Sequence, residues 1–300
     1  MCSRMNALFI VDGSSMVRRA YHVAVDMDMT SPSGEPTKAT YIFTRMLFSG
    51  LRDFRPRHFV FALDSPTHIL SRRQIYPLYK VRPLKDDVTT GPDFEPQLKR
   101  ILEILTLVGI SIVQYHGYEA DDVIATIAKK ASRDTEVVIV GLDKDFAQCV
   151  NDRVLLYNPT KRVYLDREGV MRWKGFPPEV SRDVQALTGD DGDNVPGVPG
   201  IGDKTAAKLL AKYGDLTTLY SHLNELTPPL RENLERYKQQ VFDIALPLVT
   251  LVDNLPIEVP VTPLTMSETS FGYLRKLFLQ LGFDSLLGEL VLVYQSLPHS

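Results

Sequence analysis

Four short apolar runs punctuate the first 140 residues. Leu8-Phe9-Ile10-Val11, Phe59-Val60-Phe61-Ala62-Leu63 and Val137-Val138-Ile139-Val140 are continuous, and Ile110-Ser111-Ile112-Val113 is a weaker fourth. Continuous runs of this length predict strands buried on both faces. Between them apolar positions recur at helical spacing near 36–53, 94–107 and 119–131. Strands alternating with helices predict an α/β unit over residues 1–175, a mainly parallel central sheet flanked by helices. From about Pro177 the pattern changes to helical segments near 178–188, 203–212, 229–235 and 237–247 with no strand between them. Their connections carry glycine and proline at 197–202 and 227–229, and residues 176–265 read as a helical subdomain. A short extended piece (Leu255 to Val261) leads to an amphipathic helix near 270–281 and an apolar tail, so residues 266–300 should pack back on the first unit.

Composition narrows the class. With 44% apolar and 24% charged residues the chain is globular, neither disordered nor collagen-like. No apolar run approaches the roughly 18 residues of a membrane span, and the N-terminus enters a strand rather than a signal peptide. The two cysteines, Cys2 and Cys149, exclude a disulfide framework and a cysteine-based zinc site, which fits a reducing cytoplasm. The net charge of −3 argues, taken alone, against a broad basic surface for polyanions.

The acids change that picture. Asp12 follows the first run and Asp64 the second, while Asp143 and Asp145 come just after the run at 137–140. The carboxyl ends of parallel strands share one edge, and ligands bind there. Gly117-Tyr118-Glu119-Ala120-Asp121-Asp122 opens a helix at the same edge, with Glu119 and Asp122 on one face. Asp190 and Asp193, again three apart, close a helix of the second unit. Each acid alone is well explained as a helix cap. Together they would repel one another unless a cation sat among them. An all-oxygen donor set points to Mg²⁺ or Mn²⁺, and a pair of such ions roughly 4 Å apart is the usual device for phosphoryl transfer to water. The chain has neither a Gly-x-Ser-x-Gly elbow nor a Walker loop.

Two segments suit nucleic acid. Arg72, Arg73, Lys80, Arg82 and Lys85 interleave with Tyr76 and Tyr79, a pattern of cations for phosphates and rings for bases; a solvated basic helix face is the plainer alternative. The run Gly197-Val198-Pro199-Gly200-Ile201-Gly202-Asp203-Lys204-Thr205 lies between helices. Such a helix-hairpin-helix grips duplex DNA by its backbone.

These stretches resemble the bacterial 5'-3' exonuclease and flap endonuclease family, including the N-terminal 5'-nuclease domain of DNA polymerase I. The resemblance runs from Phe9 to Leu287 and is most specific at 117–122, Asp143-Lys144-Asp145 and 186–206. It implies a PIN-like α/β nuclease unit with a helical arch near 67–93. It implies a first metal held by Asp12, Asp64, Glu119, Asp121 and Asp122, and a second held by Asp143, Asp145, Asp190 and Asp193. Lys80 and Arg72 would act on the scissile phosphate and Tyr79 would stack on the displaced strand. Arg19, Arg73 and Arg82 join them as DNA contacts, with Gly200, Ile201, Gly202, Lys204 and Thr205 on the downstream duplex. A K⁺ among the carbonyls of the Gly200–Gly202 loop is also implied. Arg82 stands one residue earlier after Tyr79-Lys80 than the family pattern has it, and Gln74 replaces an acid.

The resulting expectation is a monomeric, two-metal nuclease of the bacterial nucleoid, free-standing or an isolated domain. Its substrates would be DNA with 5' ends, nicks and 5' flaps, and RNA primers on DNA, with a DNA polymerase as a partner and no membrane. A non-catalytic DNA-junction binder and a PIN-type ribonuclease are the alternatives. The charge now reads differently: removing the nine acids' charge from −3 leaves +6 on the remainder.

Overall fold

The computed structural model describes residues 6–24, 27–65, 71–81, 91 and 93–297. Strands β1 (Leu8–Asp12), β2 (His58–Ala62), β3 (Ser111–Val113), β4 (Val137–Val140), β5 (Val154–Asn158) and β6 (Val163–Leu165) form one sheet in the order β3-β2-β1-β4-β5-β6. All pairs are parallel except β5 with β6. The order reverses between β1 and β4, so the ligand crevice of such a sheet lies above their carboxyl ends.

In chain order the helices of this unit are α1 (Gly13–Val23), α2 (Lys38–Phe54), the single turn α3 (Arg72–Ile75), α4 (Phe94–Val108), α5 (Ala120–Ala131) and α6 (Arg167–Lys174). Period-two alternation divides the strands between two cores. Phe9, Val11, Phe59 and Phe61 pack with residues of α2 and α4, while Leu8, Ile10, Val60 and Ala62 pack against α5. Burial on both faces explains why the strands read as unbroken apolar runs.

The helical unit comprises α7 (Ser181–Thr188), α8 (Asp203–Tyr213), α9 (Leu216–Ser221), α10 (Pro228–Gln240) and α11 (Leu246–Val249) around its own core. The segment expected as two helices, 229–235 and 237–247, is continuous. A π turn at Val241–Ala245 joins α10 to α11 immediately before Pro247, whose missing N–H a regular ladder could not use. The chain then crosses the α5 face, where the Lys130 ammonium donates to the carbonyls of Leu255 and Ile257, both at 2.8 Å. It ends in α12 (Glu268–Leu281) and α13 (Leu287–Ser296), which join the core beside α2 and α4. No helix among the described residues is long and apolar enough to cross a membrane.

Helix α1 escaped the pattern reading because it begins directly at the end of β1, with no loop to mark it. Gly13 makes that abrupt start feasible: a Cβ there would lie 2.3 Å from the Phe61 ring and 2.5 Å from the Ala62 carbonyl.

Candidate active site

Asp12 ends β1 at the reversal point, Asp143 follows β4 and Asp64 follows β2, while Glu119 immediately precedes α5. Several of these acids do bind backbone N–H groups. Asp12 accepts from Ser15 at 2.9 Å, Asp64 from Ala120 at 2.9 Å, Asp143 from Asp145 at 3.0 Å and Asp190 from Gly192 at 3.1 Å. Capping anchors one oxygen of each carboxylate and thereby fixes where the group points.

Cations thread between them. Arg18 reaches Asp64 at 2.7 Å, Lys144 reaches Asp190 at 2.6 Å, and Lys80 reaches Glu119 at 2.5 Å and Asp193 at 3.5 Å. Gln185 donates to Asp145. Among the described residues no three acidic, imidazole or thiol groups are drawn together tightly enough to cage an ion.

The electrostatics still single out a strained core within the set. Burial pushes the Asp12 carboxyl up to about 6, and the charges of Asp64 and Asp143 add to it against the Ser15 N–H and Arg18. Burial likewise holds Asp121 well above the usual carboxylate range, reinforced by Asp12 and Asp143 and opposed by Lys80. Asp145 rises to about 6 through burial and the charge of Asp143. At Asp64 burial acts in the same sense, but Arg18 and the Ala120 N–H outweigh it and the group lies low. Burial would lower the Lys80 ammonium, yet the charges of Glu119, Asp193 and Asp121 hold it well above its ordinary value. Asp12, Asp121 and Asp145 are thus under-neutralised, and every donor is oxygen. That chemistry fits a hard divalent cation.

Arg72, Asp122 and Tyr79, three of the expected residues, are buried in this structure. Arg72 is 5% exposed. It spans Asp122 through two bonds of 2.6 and 2.7 Å, Glu119 at 3.0 Å, and the carbonyls of Leu248 and Thr250 at 2.8 and 2.9 Å. A guanidinium this desolvated must be fully paired, so it ties the α3 turn to α5 and α11 and is not presented to a phosphate. Asp122, wholly buried, is its counter-ion; both oxygens are taken by Arg72 and one also by the Val252 N–H at 2.8 Å. In this structure it anchors Arg72 beneath the site. Tyr79 is not a surface ring for a displaced base: it sits in the helical unit's core with its hydroxyl donating to Glu119 at 2.9 Å.

Residues 7–271 match one family. The family model "5'-3' exonuclease, N-terminal resolvase-like domain" matches residues 7–175, and "5'-3' exonuclease, C-terminal SAM fold" matches residues 176–271. The chain belongs to the 5'-3' exonuclease family. It is 35% identical to the 5'-3' exonuclease of Aquifex aeolicus over 97% of each chain. It is also 35% identical to the thermostable DNA polymerase I of Thermus aquaticus over 94% of this chain, which there covers 33% of the longer protein. Among solved structures, T5 5'-exonuclease with zinc bound superposes with a TM-score of 0.67 at 21% identity, covering 97% of this chain and 99% of that one. The catalytic core of Rad2 in complex with DNA superposes at 0.60 and 18% identity, over 96% and 93%. The two units described above carry that family's resolvase-like N-terminal domain and C-terminal helical fold.

In this 5' nuclease the remaining expected residues are spread around the acids. Arg19 is exposed on α1 and donates to the Thr160 hydroxyl at 3.2 Å. Arg73 turns back on its own segment, donating to the carbonyls of Tyr79 at 3.0 Å and Lys80 at 3.1 Å. Arg82, and the arch residues 67–70, 82–90 and 92, lie outside the described residues. The Gly200–Thr205 stretch leads into α8, with Val198 and Ile201 buried as anchors and Lys204 exposed in the first turn. Asn233 donates to the Pro199 carbonyl at 2.7 Å and Gln240 to that of Gly197 at 2.9 Å, so α10 braces the loop. Gly200 takes a left-handed φ of 79° and has open space where a Cβ would be. Sequence reasoning missed Arg18, which contacts Asp64. Its signal was faint: six residues beyond Asp12, it reaches the rim only once α1 begins without a loop.

Proposed function

We propose that the protein hydrolyses phosphodiester bonds in DNA at 5' ends and 5' flaps, leaving a 5'-phosphate and a 3'-hydroxyl, and removes RNA primers annealed to DNA. One observation carries this reading. Asp12, Asp121, Asp143 and Asp145 converge electrostatically where the strand order reverses, three of them held above their ordinary pKa. Asp12, Asp64, Glu119 and Asp121 would hold one divalent ion, and Asp143, Asp145, Asp190 and Asp193 the other, Mg²⁺ with Mn²⁺ as substitute. When bound, two such ions would supply Lewis acidity at the scissile phosphate and would lower the pKa of the attacking water.

The chain's own groups do the rest. Lys80 exchanges its carboxylate partners for the incoming phosphate and polarises it. Arg18 holds Asp64, and Lys144 holds Asp190, in place until ions neutralise them. Arg19 contacts the strand near the rim. The α8 entry at Gly200, Ile201, Gly202, Lys204 and Thr205 holds the downstream duplex through its backbone, with a K⁺ among the Gly200–Gly202 carbonyls. The 5' strand would run beside residues 72–81, with Arg82 as a further contact. The enzyme would act as a monomer in the cytoplasm, at the nucleoid, alongside a DNA polymerase.

The test is cleavage of a labelled 5'-flap DNA with and without Mg²⁺, beside an RNA hairpin. The reading requires Mg²⁺-dependent incision near the flap junction and little attack on the hairpin. Intact flap binding without incision in Mg²⁺ or Mn²⁺ would sink it.

A further inference from the structure

Lys80 sits in a turn whose own backbone does little to stabilise it. The turn Leu78–Val81 closes with one backbone bond, from the Val81 N–H to the Leu78 carbonyl at 3.2 Å. Within it Lys80 takes a left-handed φ of 52°, a region that residues with a Cβ rarely occupy unless the surroundings impose it.

The surroundings are found on the loop of the second unit. The Asn194 side-chain amide donates to the Leu78 carbonyl at 3.0 Å and to the Val81 carbonyl at 2.9 Å, one on each side of Lys80. The Lys80 N–H donates to the Asp193 carbonyl at 3.0 Å. Arg73 takes the two carbonyls between, those of Tyr79 and Lys80. All four carbonyls of the turn therefore accept a hydrogen bond from a side chain, two of them from one amide of the opposite unit. Asn194 is itself left-handed, with φ 57°, a conformation asparagine tolerates better than most residues.

From this geometry we infer that Asn194 is a positioning residue: its amide latches the Leu78–Val81 turn to the Asp190–Asp193 loop and so aims the Lys80 ammonium across the two units. The inference rests on Lys80 acting at the phosphate, as proposed above. Asn194 is exposed, so removing its side chain opens no core cavity, and a loss of activity would not follow from a loss of fold. The carboxamide is needed for its hydrogens. Aspartate has the same shape and would turn an acceptor toward two acceptors.

Asn194→Gly keeps the left-handed backbone and deletes the amide; Asn194→Asp keeps the shape and deletes the donors. Both are expected to lower kcat on a 5'-flap substrate about 10- to 100-fold, with flap affinity within about threefold and the melting temperature nearly unchanged. Combined with Lys80→Ala, neither should lower kcat further, because a residue that works through Lys80 has nothing left to position. A second readout uses no metal: the rate at which a small amine-acylating reagent modifies Lys80, followed by peptide mass spectrometry in the ion-free protein. It should rise severalfold in both variants. An unchanged labelling rate overturns the latch whatever the activity does, and losses that multiply with Lys80→Ala overturn its action through Lys80. If Lys80→Ala itself leaves kcat intact, the phosphate role of Lys80 falls, and with it Asn194 as a positioning residue for catalysis. Faster labelling would then show a latch with no catalytic purpose.

Discussion

At the scale of single residues, the acids divide by what already satisfies them. Asp143 is exposed, and its one fixed contact is with the Asp145 N–H. Asp143→Asn keeps that acceptor and removes a charge, so it should abolish cleavage while flap affinity, read by gel shift, stays within a few-fold. Loss of fold as well as binding would make Asp143 structural. Asp122 is the opposite case. Wholly buried and bonded twice to Arg72, it belongs to an ion pair whose rupture leaves a charge unpaired in the interior. Arg72→Ala should therefore cost about 3–5 kcal/mol of stability in urea unfolding. A cost below about 1 kcal/mol would mean that the pair is not needed by the fold. Lys80→Ala should lower kcat by roughly 10² to 10³ and leave duplex affinity nearly unchanged, since the ammonium faces the acids and not the α8 loop. These two cations look alike in sequence, eight residues apart in one basic run. Their fates differ because one falls against buried Asp122 and the other over the half-open rim.

At the scale of elements, the site depends on junctions that allow no side chain. The loop from Gly189 to Gly197 folds back on itself so closely that a Cβ on Gly197 would meet the Thr188 carbonyl at 2.2 Å, and one on Gly189 would meet the Gly197 nitrogen at 2.4 Å. This doubling places Asp190 and Asp193 toward Lys144 and Lys80. Gly197→Ala should shift the loop, and activity should fall by more than the cost of overpacking, about 1–3 kcal/mol of stability, would suggest. Circular dichroism melts beside flap-cleavage rates would check it; wild-type kinetics in a folded variant would refute it. The same doubling was invisible in the pattern of the chain, where glycine signals only a turn. Strands β5 and β6 and helix α6 were missed for a related reason. Val154–Asn158 is a short run with no flanking helical period, and its identity as a strand comes from pairing with β4.

At the scale of the whole molecule, the acids tax the fold. Asp12 and Asp145 ionise near pH 6 in the folded protein against 3.8 for the free side chain, so the folded state binds the extra proton between those values. Stability without divalent ions is then fully present below about pH 4 for these groups and falls as pH rises through about 6, on the order of 3 kcal/mol for one group. Asp64, whose value is lowered, acts in the reverse sense and only at lower pH. The ion-free protein should melt several degrees higher at pH 5.5 than at pH 7.5, and millimolar Mg²⁺ should erase the difference by stabilising the form with ionised acids. A melting temperature independent of pH across that range, or unaffected by Mg²⁺ at pH 7.5, would contradict it. By itself the sequence determined the strands, their acids and the sheet edge those acids share, because burial on two faces and a carboxylate at a strand end are local patterns. It also carried the family resemblance, through short contiguous runs spread from Phe9 to Leu287. Only the tertiary structure decided which acids are taken by internal cations, that Arg72 and Tyr79 turn inward, and that Asn194 grips the Lys80 turn. Those outcomes depend on which groups meet across the two units and how far each is desolvated, and no pattern along the chain records either.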